Sequence, residues 1–141
     1  MSWNETIEIS DEHSHYMGMG DYKIILPESN HILELKYIGE PPHGDSYHSL
    51  DIDDVQLPGF FWGCQFIFID HQKYMVCEWM EKLYDRNTVI VDISAKTIYV
   101  TKTSWSLYKI EGDFLVLGNY HSDKTRRIEI KRIKDLEFKH R

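Results

Sequence analysis

Short runs of β-branched and aromatic residues recur about every ten residues along this chain, separated by Gly, Pro, Asn, Asp or Ser. This pattern favours β-strands joined by turns and leaves little room for helix. We predict an all-β, mainly antiparallel fold with strands at Trp3 to Ile9, Asp21 to Leu26, His31 to Ile38, Gly63 to Asp70, Lys73 to Glu81, Thr88 to Ile93, Thr97 to Thr101, Ser106 to Ile110, Phe114 to Leu117 and Arg126 to Ile130.

The clearest unit is a hairpin of two of these strands, Gly63 to Asp70 and Lys73 to Glu81, around a polar turn. Phe66 and Phe68 alternate with two isoleucines, so both faces of the first strand are apolar. Such a strand suits the middle of a sandwich or barrel. We therefore predict that this hairpin forms the core.

Two more hairpins follow, the second turning at Gly112, and together they predict an antiparallel meander from Trp62 to Leu117. The meander is expected to form a curved sheet, a sandwich or a barrel, with little helix. The segment Lys131 to Phe138 is equally compatible with a short helix and a strand. With 141 residues and 42% hydrophobic residues, the chain is expected to fold as a single β domain spanning residues 1–141.

Several protein classes are disfavoured by composition and local pattern. The first residues lack the basic and apolar regions of a signal peptide, and no apolar stretch is long enough for a membrane span. Cys64 and Cys77 do not make a disulfide framework, so both are expected to be reduced thiols. We therefore expect a cytoplasmic protein with no membrane association.

Charge is divided unevenly along the chain. Residues 1–60 have a formal charge of -10 and residues 61–141 have +3, within a total of -7. Such asymmetry affects which partners a surface attracts more than it affects the fold. The imbalance points to a basic partner, or to internal neutralisation of the acidic half by the basic last strand.

Much of the negative charge lies between Ile38 and Phe60, a span with three of the four prolines and no lysine or arginine. We expect an ordered, exposed, acidic loop. Three alternatives remain open: a solvated loop, a cation site, or a docking surface for a basic partner. The docking alternative gives a candidate binding set of Asp45, Tyr47, Asp51, Asp53, Asp54, Phe60 and Phe61.

Residues that could support catalysis or bind a metal are few. His13 and His15 have a spacing found in metal sites, but no third ligand follows at a recognisable distance. Glu78, in a strand that otherwise looks buried, could be a paired core acid, a general acid or an outward-facing residue. No nucleophile elbow, phosphate loop or dinucleotide motif is present. We expect a protein that is not an enzyme and uses no metal or cofactor.

The C-terminal segment from Lys124 to Arg141 carries eight basic residues and three acidic ones. A basic stretch near aromatic residues can bind nucleic acid. However, the chain has a pI near 5.5 and would repel phosphate, and alternating charges also protect an ordinary edge strand. We therefore predict no direct contact with nucleic acid.

The central hairpin with Phe61-Trp62-Gly63 at its start and Glu78-Trp79 near its end, in a small, acidic, aromatic-rich β protein, resembles immunity proteins of bacterial contact-dependent growth inhibition and related polymorphic toxin systems. The resemblance implies a cytoplasmic protein that binds one cognate toxin domain, often a nuclease, and blocks it. It transfers no functional residue.

Physical reasoning points the same way, because a nuclease needs a basic cleft that an acidic surface can occupy. The prediction is therefore stoichiometric inhibition of a toxin domain. The alternative is a β-barrel or sandwich that binds a small ligand or another protein. The toxin, its binding face, the strand order and the oligomeric state remain open.

Overall fold

A computed structural model describes residues 5–8, 20–42 and 45–139. Within these residues the chain forms strands and one short 3-10 segment, so the predicted all-β, mainly antiparallel class is confirmed. No helix in the described part is long and apolar enough to cross a membrane. The strands are β1 Glu5–Glu8, β2 Tyr22–Leu26, β3 His31–Gly39, β4 Tyr47–Ile52, β5 Val55–Gln56, β6 Phe60–Ile69, β7 Tyr74–Met80, β8 Asn87–Asp92, β9 Thr97–Val100, β10 Leu107–Glu111, β11 Phe114–Asn119 and β12 Ser122–Glu129.

Nine of these strands form one sheet, in which neighbours along the chain are also neighbours in space. The order is β1-β2-β3-β4-β6-β7-β8-β9, and the two-residue β5 pairs with β4. β1 runs parallel to β2, and all other pairings are antiparallel. Each predicted strand overlaps an observed one, and only β4 and β5 were not predicted.

The expectation of a long exposed loop between Ile38 and Phe60 is wrong, because β4 occupies its middle and joins β3 to β6. After the buried Tyr47, its buried positions His48, Leu50 and Ile52 alternate with the half-buried Ser49 and Asp51. This is a period-two pattern of a half-buried strand. Prolines and aspartates before and after β4 favour turns, so the sequence of this span resembles a loop.

The large sheet is apolar on both faces. Its inner core contains Leu33, Leu50, Phe66 and Phe68, among other buried residues. On the opposite, outer face, the side chains of β6 to β9 form a second core with the small sheet described next. Every residue of β7 is buried, so the prediction that the central hairpin forms the core is confirmed.

The small sheet contains β10, β11 and β12 in that order. The predicted continuous meander to Leu117 is therefore wrong after β9, since β10 pairs with β11 and not with β9. Leu115, Leu117 and Ile128 of the small sheet pack against the outer face of the large one. The last segment is a 3-10 helix, Ile130–Asp135, which buries Ile133 in the same core.

Contacts between turns show that the large sheet is strongly curved. Four strand spacings separate β3 from β8, which would be about 19 Å in a flat sheet. Yet the imidazole of His31, at the start of β3, lies 3.0 Å from the hydroxyl of Ser94, just after β8. The Gln72 side-chain oxygen likewise accepts hydrogen bonds from the backbone N–H groups of Glu28 and Ser29. We call this end of the molecule the turn end.

Candidate functional site

At the opposite end, which we call the open end, an aromatic and aliphatic patch reaches the surface. Its central residue is Tyr47, whose ring centroid lies 5.5 Å from that of Phe60 and 6.2 Å from that of Tyr84. Ile38, Leu83 and Tyr84 are 50%, 55% and 54% exposed. We define the Tyr47 patch as Ile38, Tyr47, Phe60, Leu83 and Tyr84.

A local irregularity in β3 places two consecutive residues at the surface, and the second of them, Ile38, belongs to this patch. Tyr37 pairs with His48 and Gly39 pairs with Tyr47, so Ile38 is an extra residue in the β3–β4 ladder. An extra residue of this kind turns side chains away from regular alternation. Tyr37 and Ile38 are consequently both exposed, although neighbours in a regular strand would point to opposite faces.

Acidic residues surround the Tyr47 patch. Glu40 and Asp45 lie in the β3–β4 connection, and Glu81 and Asp85 lie in the β7–β8 connection. The same two connections contain only Lys82 and Arg86 as lysine or arginine. Because carboxylates outnumber these cations at the open end, its local field favours an approaching basic group.

Arg86 fixes the β7–β8 connection against the sheet beneath the patch. Its Nη2 donates to Asp45 Oδ2 at 2.9 Å, and its guanidinium lies 4.5 Å from the Trp62 ring centroid. Its Nε is 3.5 Å from Glu78 Oε1. Arg86 therefore connects the loop that carries Tyr84 to strands β6 and β7.

Glu78 lies below Arg86 and is only 3% exposed. Its carboxylate accepts hydrogen bonds of 2.5 Å from the hydroxyls of Thr88, Ser104 and Tyr108. Tyr108 belongs to the small sheet, so this cluster also joins the two sheets. Of the three interpretations of Glu78, the structure supports a paired core acid.

The predicted binding set does not lie together. Asp45, Tyr47 and Phe60 are at the open end, whereas Asp51, Asp53 and Asp54 are at the other end of β4, about 17 Å along the strand. Tyr47 is buried and Phe60 is half-buried. Phe61 is 1% exposed and packs in the inner core. The Phe61 ring is therefore not a surface anchor in this conformation.

The three aspartates at the far end of β4 differ in their contacts. Asp51 lies 4.0 Å from the Lys36 ammonium, and Asp54 is exposed. Asp53 accepts from the Ile32 N–H and contacts His31 Nδ1 at 2.5 Å. Burial alone would raise the pKa of Asp53, but these two hydrogen bonds, with the charges of His31 and Lys96, outweigh burial and lower it.

The exposed members of the Tyr47 patch were missed in the sequence. Leu83 and Tyr84 stand between charged residues in a connection, and Ile38 ends a predicted strand. An apolar pair inside a polar connection is the signal that could have identified them, since such a pair is either folded inward or presented to a partner. Their proximity to Tyr47 depends on pairings distant in the sequence.

The other chemical candidates give no site. His13, His15 and His43 lie outside the described residues. Within the described part, no three His, Cys, Asp or Glu side chains are arranged to hold a metal ion. Cys77 is buried in the inner core and forms no disulfide. His71 lies in its predicted turn and contacts Glu28.

Comparisons with protein-family models, with curated proteins and with solved structures gave no match to this chain. The function must therefore be inferred from the contacts, burial and charge of the molecule itself. Of the surfaces described above, the Tyr47 patch combines exposed apolar side chains, a rigid support through Arg86 and surrounding carboxylates.

Proposed function

We propose that this protein is a stoichiometric protein-binding inhibitor, an immunity protein that neutralises a cognate bacterial toxin domain, through the Tyr47 patch. The observation that carries the proposal is the exposure of Tyr84, which contacts the buried Tyr47, and of Leu83 beside it in the chain, with Ile38 exposed in the neighbouring strand β3. Large exposed apolar side chains that are grouped, and not scattered, mark interaction surfaces. The patch also has the tyrosine content that binding hot spots favour.

The support under the patch favours binding with little rearrangement. Tyr47 packs edge-on against Trp62, and Arg86 holds the β7–β8 connection to Asp45 and Glu78. Binding loses less entropy when the contacting side chains are already held in place. Tyr84 and Leu83 are therefore suited to act as preformed anchors for a partner.

The surrounding carboxylates favour a basic partner. Glu40, Glu81 and Asp85 can approach the lysines and arginines with which a nuclease holds phosphate. Opposite charges at the edge of an interface accelerate association and make it sensitive to salt. A nuclease toxin is consequently the proposed class of partner.

The proposal predicts that the gene immediately upstream of the gene for this chain encodes a toxin domain, and the direct test uses that domain. The purified domain and this protein should form a 1:1 complex in light scattering, and the complex should lack the toxin's activity. The association rate should fall as salt rises. The absence of a complex at micromolar concentrations, or a complex with full toxin activity, would contradict the proposal.

A further inference from the structure

Three turns meet at the turn end and bring together a serine, a histidine and an aspartate. His31 Nδ1 lies 2.5 Å from Asp53 Oδ2, and His31 Nε2 lies 3.0 Å from Ser94 Oγ. The residues are 22 and 63 positions apart in the chain, so curvature of the sheet creates the arrangement. No motif of adjacent residues in the sequence predicts this arrangement.

The atoms that face one another are those that nucleophilic acyl transfer requires. A carboxylate can only accept, so the Asp53 contact places a proton on His31 Nδ1 and leaves Nε2 of the neutral ring to accept from Ser94. The Ile32 N–H holds the second Asp53 oxygen at 2.9 Å. This order of nucleophile, base and orienting carboxylate defines a Ser-His-Asp triad wherever it occurs in a fold.

The surroundings of Ser94 add a cation and access to solvent. Lys96 Nζ donates to the Ser94 carbonyl oxygen at 3.4 Å, so a cation lies on the same turn as the Ser94 hydroxyl. Ser94 is exposed on the β8–β9 turn. Reagents in solution can therefore reach its hydroxyl.

We propose that Ser94 is a nucleophile, activated by His31, that hydrolyses small activated esters of short carboxylic acids. Ser94 Oγ forms a bond to the ester carbonyl carbon while its proton passes to His31 Nε2. The carbon–oxygen bond to the alcohol then breaks, and His31 returns the proton to the departing alcohol. Water repeats these steps on the acyl-serine, which releases the acid and restores Ser94.

A fluorophosphonate provides the probe, because its phosphorus forms a stable bond to an activated serine as fluoride departs. We expect mass spectrometry of the intact labelled protein and of its peptides to place one label on Ser94. His31→Gln should slow labelling by about 10²–10⁴-fold, the range that general base catalysis contributes. p-Nitrophenyl acetate hydrolysis by the wild-type protein should be lost in Ser94→Ala.

Ser122 supplies the matched control, since it is another exposed serine, at the start of β12, and its hydroxyl accepts from the Lys124 N–H. Ser122→Ala should label and hydrolyse like the wild type. Equal, slow labelling of Ser94 and Ser122 would overturn the proposal and leave the three residues as a structural link between turns. The result is independent of toxin binding.

Asp53 is a positioning residue, tested by an amide and a carboxylate substitution. Its carboxylate accepts from His31 Nδ1 and so leaves His31 Nε2 to accept from Ser94. An amide at this position can also donate to Nδ1, which favours the tautomer that carries its proton on Nε2 and cannot act as the base. Asp53→Asn should therefore slow fluorophosphonate labelling of Ser94, and Asp53→Glu, which keeps a carboxylate, should label faster than Asp53→Asn. Equal labelling rates for the wild type and both variants would contradict this role.

Discussion

Glu78 is the residue whose partners are hardest to foresee. It is a carboxylate inside an otherwise apolar strand, and its hydroxyl donors are 10, 26 and 30 positions away. Transferring such a group from water costs several kcal/mol unless hydrogen bonds replace its hydration. The donors come from both sheets, so the packing of the two sheets against each other depends on the Glu78 side chain.

Glu78→Ala should lower the free energy of unfolding by about 3–5 kcal/mol, because it leaves buried hydroxyls without their acceptor and removes one of the two carboxylates beside Arg86. Glu78→Gln keeps one oxygen acceptor and should cost less. Urea titration followed by tryptophan fluorescence measures both changes.

Glu111 is the surface control for this substitution. Hydrogen bonds from Lys109 and Arg127 lower the pKa of Glu111, but the carboxylate is exposed. Exposed ion pairs contribute little to stability. If Glu111→Ala were as destabilising as Glu78→Ala, the importance assigned to the buried cluster would be wrong.

For single residues, the sequence predicts which side chains alternate between the two faces of a strand, but it does not predict which side chains they contact. Phe66 and Phe68 were placed correctly because alternation is a local property. The sequence predicts Phe61 as a surface anchor because it follows the acidic span between Ile38 and Phe60, yet its side chain belongs to the inner core. The pairing of β6 with β4 and β7 decides its environment, and that pairing is not encoded in adjacent residues.

At the scale of elements, the start of β6 depends on Gly59. Its φ is +71°, and a Cβ there would lie 2.4 Å from Trp79 Nε1 and 2.6 Å from the Met80 carbonyl oxygen. The same Trp79 Nε1 donates to the Pro58 carbonyl at 2.9 Å. Glycine thus allows the chain to pass against β7 as it enters the central hairpin.

Gly59→Ala should therefore destabilise the fold by about 2 kcal/mol or more, since backbone strain and a steric clash add. Gly112→Ala is the matched comparison, because its φ is +56° and a Cβ there would meet nothing within 4 Å. That variant should lose only about 1–2 kcal/mol from backbone strain. Equal shifts in thermal unfolding would show that the clash with β7 is unimportant.

Asp53, in the turn after β4, makes the free energy of unfolding depend on pH. Because the pKa of Asp53 is lower in the folded chain, its stabilising effect is complete above the unfolded value of about 3.9 and declines as pH falls through the folded value. Asp53→Asn should remove this part of the loss below about pH 4. Urea midpoints at several pH values measure it, and parallel curves for both proteins would contradict it.

The sequence located most strands but missed β4, the element that organises the sheet. Tyr47–Ile52 alternates as a strand should, but it is short and lies among residues that favour turns. The division into two sheets was also not predictable, because the hairpin of β10 and β11 has the same local pattern as those before it. Only tertiary packing separates them.

At the scale of the whole molecule, the acidic first half and the basic last strand of the chain do not simply neutralise each other. The basic strand β12 finds partners in the second half of the chain, with Arg127 pairing with Glu111 and Arg126 donating to the Tyr99 hydroxyl. Acidic residues of the first half lie at both ends of β4. Those at the open end adjoin exposed apolar side chains, as a protein interface requires.

The proposed binding function rests on the Tyr47 patch, and the affinity of a patch variant for the upstream-encoded toxin domain tests it most directly. Calorimetric titration should give a dissociation constant for Leu83→Ala/Tyr84→Ala at least about 30-fold above that of the wild type, as expected for a hot spot of 2 kcal/mol. Tyr120→Ala, at a tyrosine that is 71% exposed in the small sheet, should leave it unchanged. Equal affinities for all three proteins would contradict the proposed site.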